Sequence, residues 1–294
     1  MPPALADLPS PPLPQLAARS PDSHKGDYGR SLLIGGSRGM YGAIALAGLA
    51  TLRGGAGWVR LAVPERCLDT VASFSPCLMT LGLTDDGLGR LSDACYPELE
   101  QAVGQADCVA VGPGMGQSAG LQHLLLRLLQ GVDAPLVIDA DGLNNLSQIP
   151  QWSEQRAGGW VLTPHPGEWA RLSGRPASDR AAQAEAAVEF ARQAQAVVVL
   201  KGQHTLVTDG ATAVWNDTGT PAMATGGSGD VLTGLITALV CQGLAIRDAA
   251  HLAVHVHGLA AELAEQSLQS HVVLPTELIA FLPAAFHQLK SAEE

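Results

Sequence analysis

The stretch Thr225-Gly226-Gly227-Ser228-Gly229-Asp230-Val231-Leu232-Thr233-Gly234 runs from a glycine-rich turn directly into an apolar helix. Its glycines allow backbone angles that other residues avoid, and they leave the main-chain N–H groups uncovered. The helix that begins near Asp230 adds unsatisfied N–H groups and the positive end of its dipole. The sequence therefore predicts a phosphate-binding turn made of Gly226, Gly227, Ser228 and Gly229.

Asp230 is the unexpected residue of this turn, because a carboxylate beside a bound phosphate is repelled by it. Its chemical task would be that of a general base that takes a proton from a substrate hydroxyl. The alternative is that Ser228 and Asp230 are helix caps, a common role for serine and aspartate. A glycine-rich turn is a weak signal alone, so its context decides between the two.

The composition indicates one globular α/β domain. Of the 294 residues, 47% are hydrophobic and 15% are charged, which is enough apolar material for a large core. The formal net charge of -11 argues against a nucleic-acid or anionic-membrane surface, so loops would have to bind a phosphate locally. The five cysteines are scattered without Cys-x-x-Cys spacing, which indicates reduced thiols and a cytoplasmic location.

Residues 1–23 are rich in proline and lack the basic start and apolar run of a signal peptide. We expect a flexible or polyproline-II-like arm there, followed by a single domain over residues 24–294. The apolar run 231–246 is short for a bilayer span and contains polar residues such as Gln242. It predicts a buried helix.

Short apolar runs alternate with helical segments along the chain. Strands are predicted at residues 31–36, 58–63, 108–112, 135–139, 160–163 and 197–200. Helices are predicted at residues 43–52, 121–129, 230–243, 247–265 and after Pro275. This alternation predicts a mostly parallel central sheet with helices on both faces and ligand sites at the carboxyl ends of the strands. Asp209-Gly210 between two alternating runs predicts a hairpin that ends the sheet.

Three further loops follow predicted strands and carry candidate site residues. His165 can donate to a substrate group, while Glu168 either orients a hydrated magnesium ion or is a first-turn acid. Asp139 and Asp141 are two residues apart at a strand end, so one carboxylate should point inward and the other toward the crevice. They could bind a metal directly, bind magnesium through water, or cap the loop. Lys201 either meets a nucleotide phosphate or extends to solvent from its strand end.

The remaining histidines and cysteines favour structural roles. His251 and His255 are one helical turn apart in an apolar helix without the metalloprotease glutamate, so we expect them to pack or to lie at the surface. His257, before a glycine, is a candidate helix-terminal hydrogen-bonding residue. Cys108 lies within an apolar strand and is expected in the core.

The order of these motifs resembles the NAD(P)H-hydrate dehydratases over about residues 25–290. The motifs that carry the resemblance are Gly35-Gly36-Ser37 with Gly42-Ala43, Gly112-Pro113-Gly114-Met115-Gly116, Asp139-Ala140-Asp141-Gly142-Leu143-Asn144, Leu162-Thr163-Pro164-His165-Pro166-Gly167-Glu168, Leu200-Lys201-Gly202 and Gly226-Gly227-Ser228-Gly229-Asp230. Ile44, where a small residue is usual, and Met115, where leucine is common, depart from the family pattern.

The resemblance implies a ribokinase-like fold and an enzyme that repairs hydrated nicotinamide cofactors. Such enzymes dehydrate the (6S) hydrate of NADH or NADPH with ADP, or with ATP in eukaryotic members, and with Mg²⁺. It implies that the hydrated dinucleotide meets Ala43, Gly116, His165 and Asp230. The adenine nucleotide would meet Lys201, Gly202, Gln203, His204, Thr205 and Gly229, while Asp139, Asp141, Asn144 and Glu168 are candidates for the metal or its surroundings.

In the mechanism that this resemblance implies, Asp230 takes the proton of the ring hydroxyl as that oxygen attacks the terminal phosphoryl group of ADP. The hydroxyl becomes a phosphate leaving group, which the ring nitrogen electrons expel. Many relatives also have an epimerase domain, which we expect this chain to lack, so that a separate epimerase would act in the same pathway. A homo-oligomer such as a tetramer is expected, without nucleic-acid or membrane partners.

Two other functions remain open from the residues. A small-molecule kinase acting on a hydroxymethyl-pyrimidine or hydroxyethyl-thiazole alcohol would use the same glycine-Asp turn but release a stable phosphate ester. A nucleotide-sensing module would bind without turnover, although a pure phosphate binder gains nothing from a carboxylate at Asp230.

Overall fold

A computed structural model describes residues 4–156 and 159–291, and within them one sheet of nine strands. The strands are β1 (Arg30–Ile34), β2 (Trp58–Pro64), β3 (Met79–Leu83), β4 (Cys108–Val111), β5 (Leu136–Ile138), β6 (Trp160–Leu162), β7 (Val197–Leu200), β8 (Leu206–Thr208) and β9 (Ala213–Trp215). Their order in the sheet is β3-β2-β1-β4-β5-β6-β7-β8-β9. Strands β1 to β7 are parallel to one another, and β8 pairs antiparallel with both β7 and β9. This arrangement confirms the predicted sheet.

The helices of the described residues cover both faces of this sheet. They are α1 (Tyr41–Gly54), α2 (Leu68–Ala72), α3 (Tyr96–Val103), α4 (Ala119–Gly131), α5 (Asp141–Leu146), α6 (Pro166–Ser173), α7 (Arg180–Ala194), α8 (Ser228–Cys241), α9 (Ile246–Leu268) and α10 (Pro275–Ser291). Alternate strand residues face two cores: Cys108 and Ala110 belong to the core with α1, α8 and α9, and Val109 to the core with α3, α4 and α7. Cys108 is fully buried, as predicted.

The chain order reverses at β1, which pairs with β2 on one side and β4 on the other. In open parallel sheets this reversal leaves a crevice at the carboxyl ends of the strands, where ligands bind. The turns after β1 and β4 meet there, because the Gly36 N–H donates to the Pro113 carbonyl over 2.8 Å.

Helix α8 lies inside the protein, and all of its residues from Val231 to Cys241 are buried. Its contact with α1 is close: a Cβ on Gly234 would lie 2.1 Å from the Ala47 carbonyl oxygen. The predicted buried helix is thus confirmed. In the part of the chain that the structure describes, no helix combines the length and apolarity needed to cross a membrane.

The hairpin between β8 and β9 forms at Asp209-Gly210, as predicted, with a loop of residues 209–212. The Asp209 carboxylate accepts the N–H groups of Ala211 and Thr212 at 2.9 and 2.7 Å. Gly210 has a φ of 83°, a left-handed angle that glycine adopts without strain.

The described part of the arm lies against the domain. The Ala213 N–H of β9 donates to the Pro9 carbonyl over 3.1 Å, and Leu13 and Leu16 pack against the α8 core. The flexibility of the arm and its boundary with the domain stay predictions, and residues 1–3 lie outside the described residues.

Candidate active site

Three strand ends and one helix start converge in the crevice. Asp139 follows β5, His165 follows β6, Lys201 follows β7, and Asp230 lies in the first turn of α8. The Lys201 Nζ lies 2.7 Å from Asp139 Oδ1 and 4.0 Å from Glu168 Oε2. The sheet therefore brings together residues that the sequence predicted at separate strand ends.

Asp139 is the inward carboxylate of its pair. It is 1% exposed, and its two oxygens accept Lys201 Nζ and Thr233 Oγ1, each at 2.7 Å. Lys201 therefore does not extend to solvent. Burial alone would lower the pKa of Lys201, but the charges of Asp139 and Glu168 outweigh it and raise the pKa, so the ammonium stays charged.

Asp230 has a different environment. No residue that the structure describes donates a hydrogen bond to its carboxylate, and α8 has no side-chain N-cap bond. Burial first, and then the charge of Asp139, raise the pKa of Asp230 to about 7, although Lys201 opposes them. A carboxyl group with this pKa can accept a proton near neutral pH. The geometry does not support the capping alternative for Asp230.

The glycine turn before α8 has one open face. A Cβ on Gly226 would have no atom within 4 Å, whereas one on Gly227 would lie 2.7 Å from Leu46 Cδ1. Gly229 faces the protein, since its Cβ would lie 3.2 Å from Lys201 Nζ. The Ser228 hydroxyl donates to the Met223 carbonyl over 2.7 Å rather than capping α8. Gly226 thus borders free space, and Gly229 makes room for the lysine.

His165 is fixed in one tautomer. Its Nδ1 accepts the N–H groups of Gly167 and Glu168 at 3.0 and 3.3 Å, so the hydrogen resides on Nε2. Burial, with the charges of Lys201 and Arg171, lowers the pKa of His165, so the neutral ring offers one N–H near neutral pH. The side chain is 52% exposed, and its Nε2 lies 3.3 Å from Glu168 Oε1, so a ligand that accepts the Nε2 hydrogen would do so beside this carboxylate.

Glu168 is the first-turn acid of α6, which agrees with one of its two predicted roles, while its role toward magnesium stays a prediction. Its Oε2 accepts the His165 N–H over 2.8 Å, which caps α6, and it lies within the site beside Lys201. Burial raises the pKa of Glu168 to about 7, against the charge of Lys201.

Asp141 and Asn144 hold the turn after β4. The Asp141 carboxylate accepts the Gly116 N–H over 2.9 Å and the Asn144 amide over 3.2 Å. Asn145, which the sequence analysis did not single out, donates to the Gly116 carbonyl over 2.8 Å. Within residues 4–156 and 159–291, no three His, Cys, Asp or Glu side chains form a metal-binding cluster.

Residues 201–205 form a loop whose carbonyls are held by Arg180, a residue that the sequence analysis missed. The guanidinium donates to the carbonyls of Leu200, Lys201 and His204 at 2.9, 3.1 and 3.3 Å. Gly202, Gln203 and His204 are exposed, and Thr205 Oγ1 donates to the Gly202 carbonyl over 3.1 Å. No local signal marks Arg180, because it starts α7 at a distance of 21 residues from Lys201.

A profile described as NAD(P)H-hydrate dehydratase matches residues 31–284. The chain belongs to the NAD(P)H-hydrate dehydratase family. Solved structures similar to it over most of its length confirm the ribokinase-like fold.

Relatives of two lengths belong to this family. The chain is 41% identical over 284 residues to the bifunctional NAD(P)H-hydrate repair enzyme Nnr of Moorella thermoacetica. The aligned region covers 95% of this chain and 53% of that protein. The chain thus spans about half the length of the bifunctional relatives it matches. It is 35% identical to the ADP-dependent (S)-NAD(P)H-hydrate dehydratase of Bacillus subtilis, over 94% of the chain and 95% of that protein.

A solved structure from Bacillus subtilis, titled as an ADP/ATP-dependent NAD(P)H-hydrate dehydratase co-crystallized with ATP/Mg2+, matches with a TM-score of 0.78. It is 33% identical, and the match covers 93% of this chain and 94% of the other.

The two departures from the family pattern lie in the core. Ile44 is fully buried, and its Cδ1 would lie 3.2 Å from a Cβ on Gly35, so it packs beneath the turn after β1. Met115 is also fully buried. Ala43 remains beside the turn after β4, since a Cβ on Gly114 would lie 3.0 Å from the Ala43 Cβ. Neither departure therefore occupies the crevice.

The position of His257 differs from the prediction of a helix-terminal residue. His257 is not at a helix end but lies inside α9, 7% exposed, and its Nε2 is 2.9 Å from the Ser228 carbonyl oxygen. His251, on the same helix, is also 7% exposed, which agrees with the predicted packing role.

Proposed function

We propose that this protein dehydrates the (6S) hydrates of NADH and NADPH, using ADP and releasing AMP and phosphate. The observation that carries the proposal is the position of Asp230 at the start of α8, beside the open glycine turn and without a hydrogen-bond donor to its carboxylate among the described residues; burial there raises its pKa to about 7. Membership of the NAD(P)H-hydrate dehydratase family and the ADP-dependent relative from Bacillus subtilis support the choice of substrate and donor.

Asp230 would act as the general base. It would take the proton from the ring hydroxyl while that oxygen attacks the terminal phosphoryl group of ADP, and AMP would leave. The backbone N–H groups of Gly226, Gly227, Ser228 and Gly229, with the positive end of α8, would stabilise the negative charge that develops on the phosphoryl oxygens.

The second half of the reaction is an elimination. The lone pair of the ring nitrogen expels the phosphate, and loss of a proton from the neighbouring ring carbon restores the double bond. We place the hydrated ring against Ala43, Gly116 and His165. The neutral His165 would donate its Nε2 hydrogen to a polar atom of this substrate.

The adenine nucleotide would be held by residues 201–205 and by Gly229. Their loop is fixed by Arg180, and Lys201 adds a positive charge close to Gly229. The single charge of Lys201 is shared with Asp139, so the main-chain N–H groups of residues 201–205 would carry most of the binding of the nucleotide, while those of the glycine turn would act mainly on the charge that develops during transfer.

Mg²⁺ would be held by the phosphates of the donor and by water, because this ion keeps several waters and needs only one or two carboxylates. The Glu168 carboxylate, whose Oε2 lies 4.0 Å from Lys201 Nζ, fits this arrangement as a group that could hold a water of the ion. The solved Bacillus subtilis relative with ATP/Mg2+ supports this part of the proposal. The ion would neutralise charge on the phosphates.

Assembly and location extend the proposal. We infer a homo-oligomer such as a tetramer in the cytoplasm, and an epimerase as a partner in the same pathway. Light scattering of the purified protein tests the oligomer, with a monomer as the contradicting result.

The deciding experiment is an assay on purified protein with a prepared hydrate and ADP or ATP. Recovery of the nicotinamide absorbance in step with AMP formation from ADP supports the dehydratase. If the protein binds nucleotide but the nicotinamide absorbance does not recover, and it phosphorylates a pyrimidine or thiazole alcohol, the protein is a small-molecule kinase instead of a dehydratase. Binding without any product would indicate a nucleotide-sensing module.

A further inference from the structure

The glycine turn has considerable backbone freedom and few side-chain anchors. Gly226, Gly227 and Gly229 lie next to one another in sequence with a single serine between them. Two anchors come from hydroxyl groups in or next to the turn. Ser228 Oγ donates to the Met223 carbonyl over 2.7 Å, and Thr225 Oγ1 donates to the Val273 carbonyl over 3.1 Å. The position of Asp230 depends on such anchors, since it follows the turn directly.

A third anchor comes from α9. The His257 Nε2 lies 2.9 Å from the Ser228 carbonyl oxygen. A carbonyl only accepts, so Nε2 must carry the hydrogen and donate. The carbonyl has two lone pairs and accepts this bond together with its helical one. Burial lowers the pKa of His257 to about 4, so the ring is neutral and keeps this donor at physiological pH.

The part of α9 that carries His257 is itself held firmly. A Cβ on Gly258 would lie 2.3 Å from Thr218 Oγ1, and that hydroxyl donates to the His255 carbonyl over 2.9 Å. Glu262, one turn further along, accepts the Gly219 N–H over 2.6 Å. His257 therefore extends to the glycine turn from a fixed support.

We propose that His257 is a positioning residue, which holds the Ser228 carbonyl so that the N–H groups of the turn and the Asp230 carboxylate keep their reactive arrangement. This inference rests on the proposed function, because it assigns His257 a role in that reaction. His257 does not touch substrate. Its loss should affect the reaction step more than nucleotide binding, because residues 201–205 are held separately by Arg180.

The test compares three variants. His257→Met removes the donor and keeps an apolar side chain of similar length, while His257→Gln restores an N–H near the place of Nε2. His251→Met is the matched control, because His251 lies on the same helix with the same exposure of 7% and its Nδ1 has no hydrogen-bond partner among the described residues.

We expect His257→Met to lower kcat about tenfold, the effect of one lost hydrogen bond, while KM for ADP changes less than about twofold. His257→Gln should recover kcat to within about threefold of the unchanged protein, and His251→Met should stay within about twofold. A packing role alone predicts equal losses in both methionine variants, or a kcat loss that disappears after correction for the folded fraction. Either result would overturn the proposal.

Hydrogen exchange provides a readout that does not depend on turnover. The amides of residues 226–230 should exchange about tenfold faster in His257→Met and at unchanged rates in His251→Met. If the unchanged protein fails to dehydrate the hydrate but exchange increases in this pattern, the proposed function is wrong and the anchoring by His257 stands. Unchanged exchange in His257→Met would contradict the anchoring itself.

Discussion

Asp139 and Asp230 lie in the same crevice, and they differ in what contacts their carboxylates. Both oxygens of Asp139 accept hydrogen bonds of 2.7 Å, from Lys201 and Thr233. The Asp230 carboxylate accepts none from the described residues, and burial raises its pKa to about 7. The hydrogen-bond donors around a carboxylate, rather than its residue type, therefore distinguish a structural aspartate from one that can accept a proton.

The largest effect should come from Asp230→Asn. This change keeps the size of the side chain and removes the base, so kcat should fall about 10²- to 10⁴-fold. The measurement is hydrate turnover with ADP, with circular dichroism as the control for folding. Near-normal turnover in a folded Asp230→Asn protein would remove the base assignment.

Asp139→Asn should act on stability instead. It removes the nearer charged partner of the buried Lys201 ammonium and leaves only Glu168 at 4.0 Å, which we expect to cost about 3 kcal/mol in the free energy of unfolding. Urea denaturation measures this cost. The double variant Asp139→Asn/Lys201→Met should recover part of it, because no unpaired charge remains. An equally large stability loss in Asp230→Asn would erase the distinction between the two carboxylates.

The pH dependence of kcat/KM sharpens the assignment of Asp230. The base works only when it is ionised, so kcat/KM should rise with pH up to about 7 and level off above that value. At pH 5 the expected loss is roughly a hundredfold relative to the plateau, approaching tenfold per unit below the pKa. The residual activity of Asp230→Asn should lack this step. A profile that stays flat down to pH 5 would show that the carboxyl group is not the base or does not have this pKa.

Gly226→Ala should have the smallest effect of these changes. Its methyl group meets no atom within 4 Å, so the fold should tolerate it, but it would fill the space next to the phosphate site. We expect KM for ADP to rise about tenfold. Gly104→Ala is the matched control, since the nearest atom to its Cβ would lie at 3.5 Å, and α3 lies on the opposite face of the sheet from α8. Equal KM values in the two variants would place the phosphate elsewhere.

The sequence predicts those elements of the fold in which every residue is apolar and buried. Strands β4 and β7 are buried at each residue and consist of apolar side chains, so their runs stand out. Strand β3 lies at the edge of the sheet, is half-buried and contains Gly82, so it carries no comparable run. Helix α7 is rich in alanine and lacks a clear apolar stripe, which is why the sequence analysis did not name it.

The site divides in the same way. The glycine turn and Asp230 are adjacent in sequence, so their pattern is visible without a structure. The pairing of Asp139 with Lys201 joins residues 62 positions apart, and that of Thr233 with Asp139 joins residues 94 positions apart. Only the packing of β5, β7 and α8 brings these groups together. The contact between Gly229 and Lys201 is hidden from the sequence for the same reason, because Gly229 lies in the first turn of α8 and Lys201 at the end of β7.

The close contact between α1 and α8 limits the freedom of the site in which we propose that the hydrated ring binds. Ala43 lies at the start of α1 and Asp230 at the start of α8, and the two helices touch where a methyl group on Gly234 would lie 2.1 Å from a carbonyl oxygen. The two helices cannot slide past each other without losing this contact. The spacing between Ala43 and Asp230 is therefore set by the core, and a ring bound between them, as proposed, would meet a site of nearly constant width.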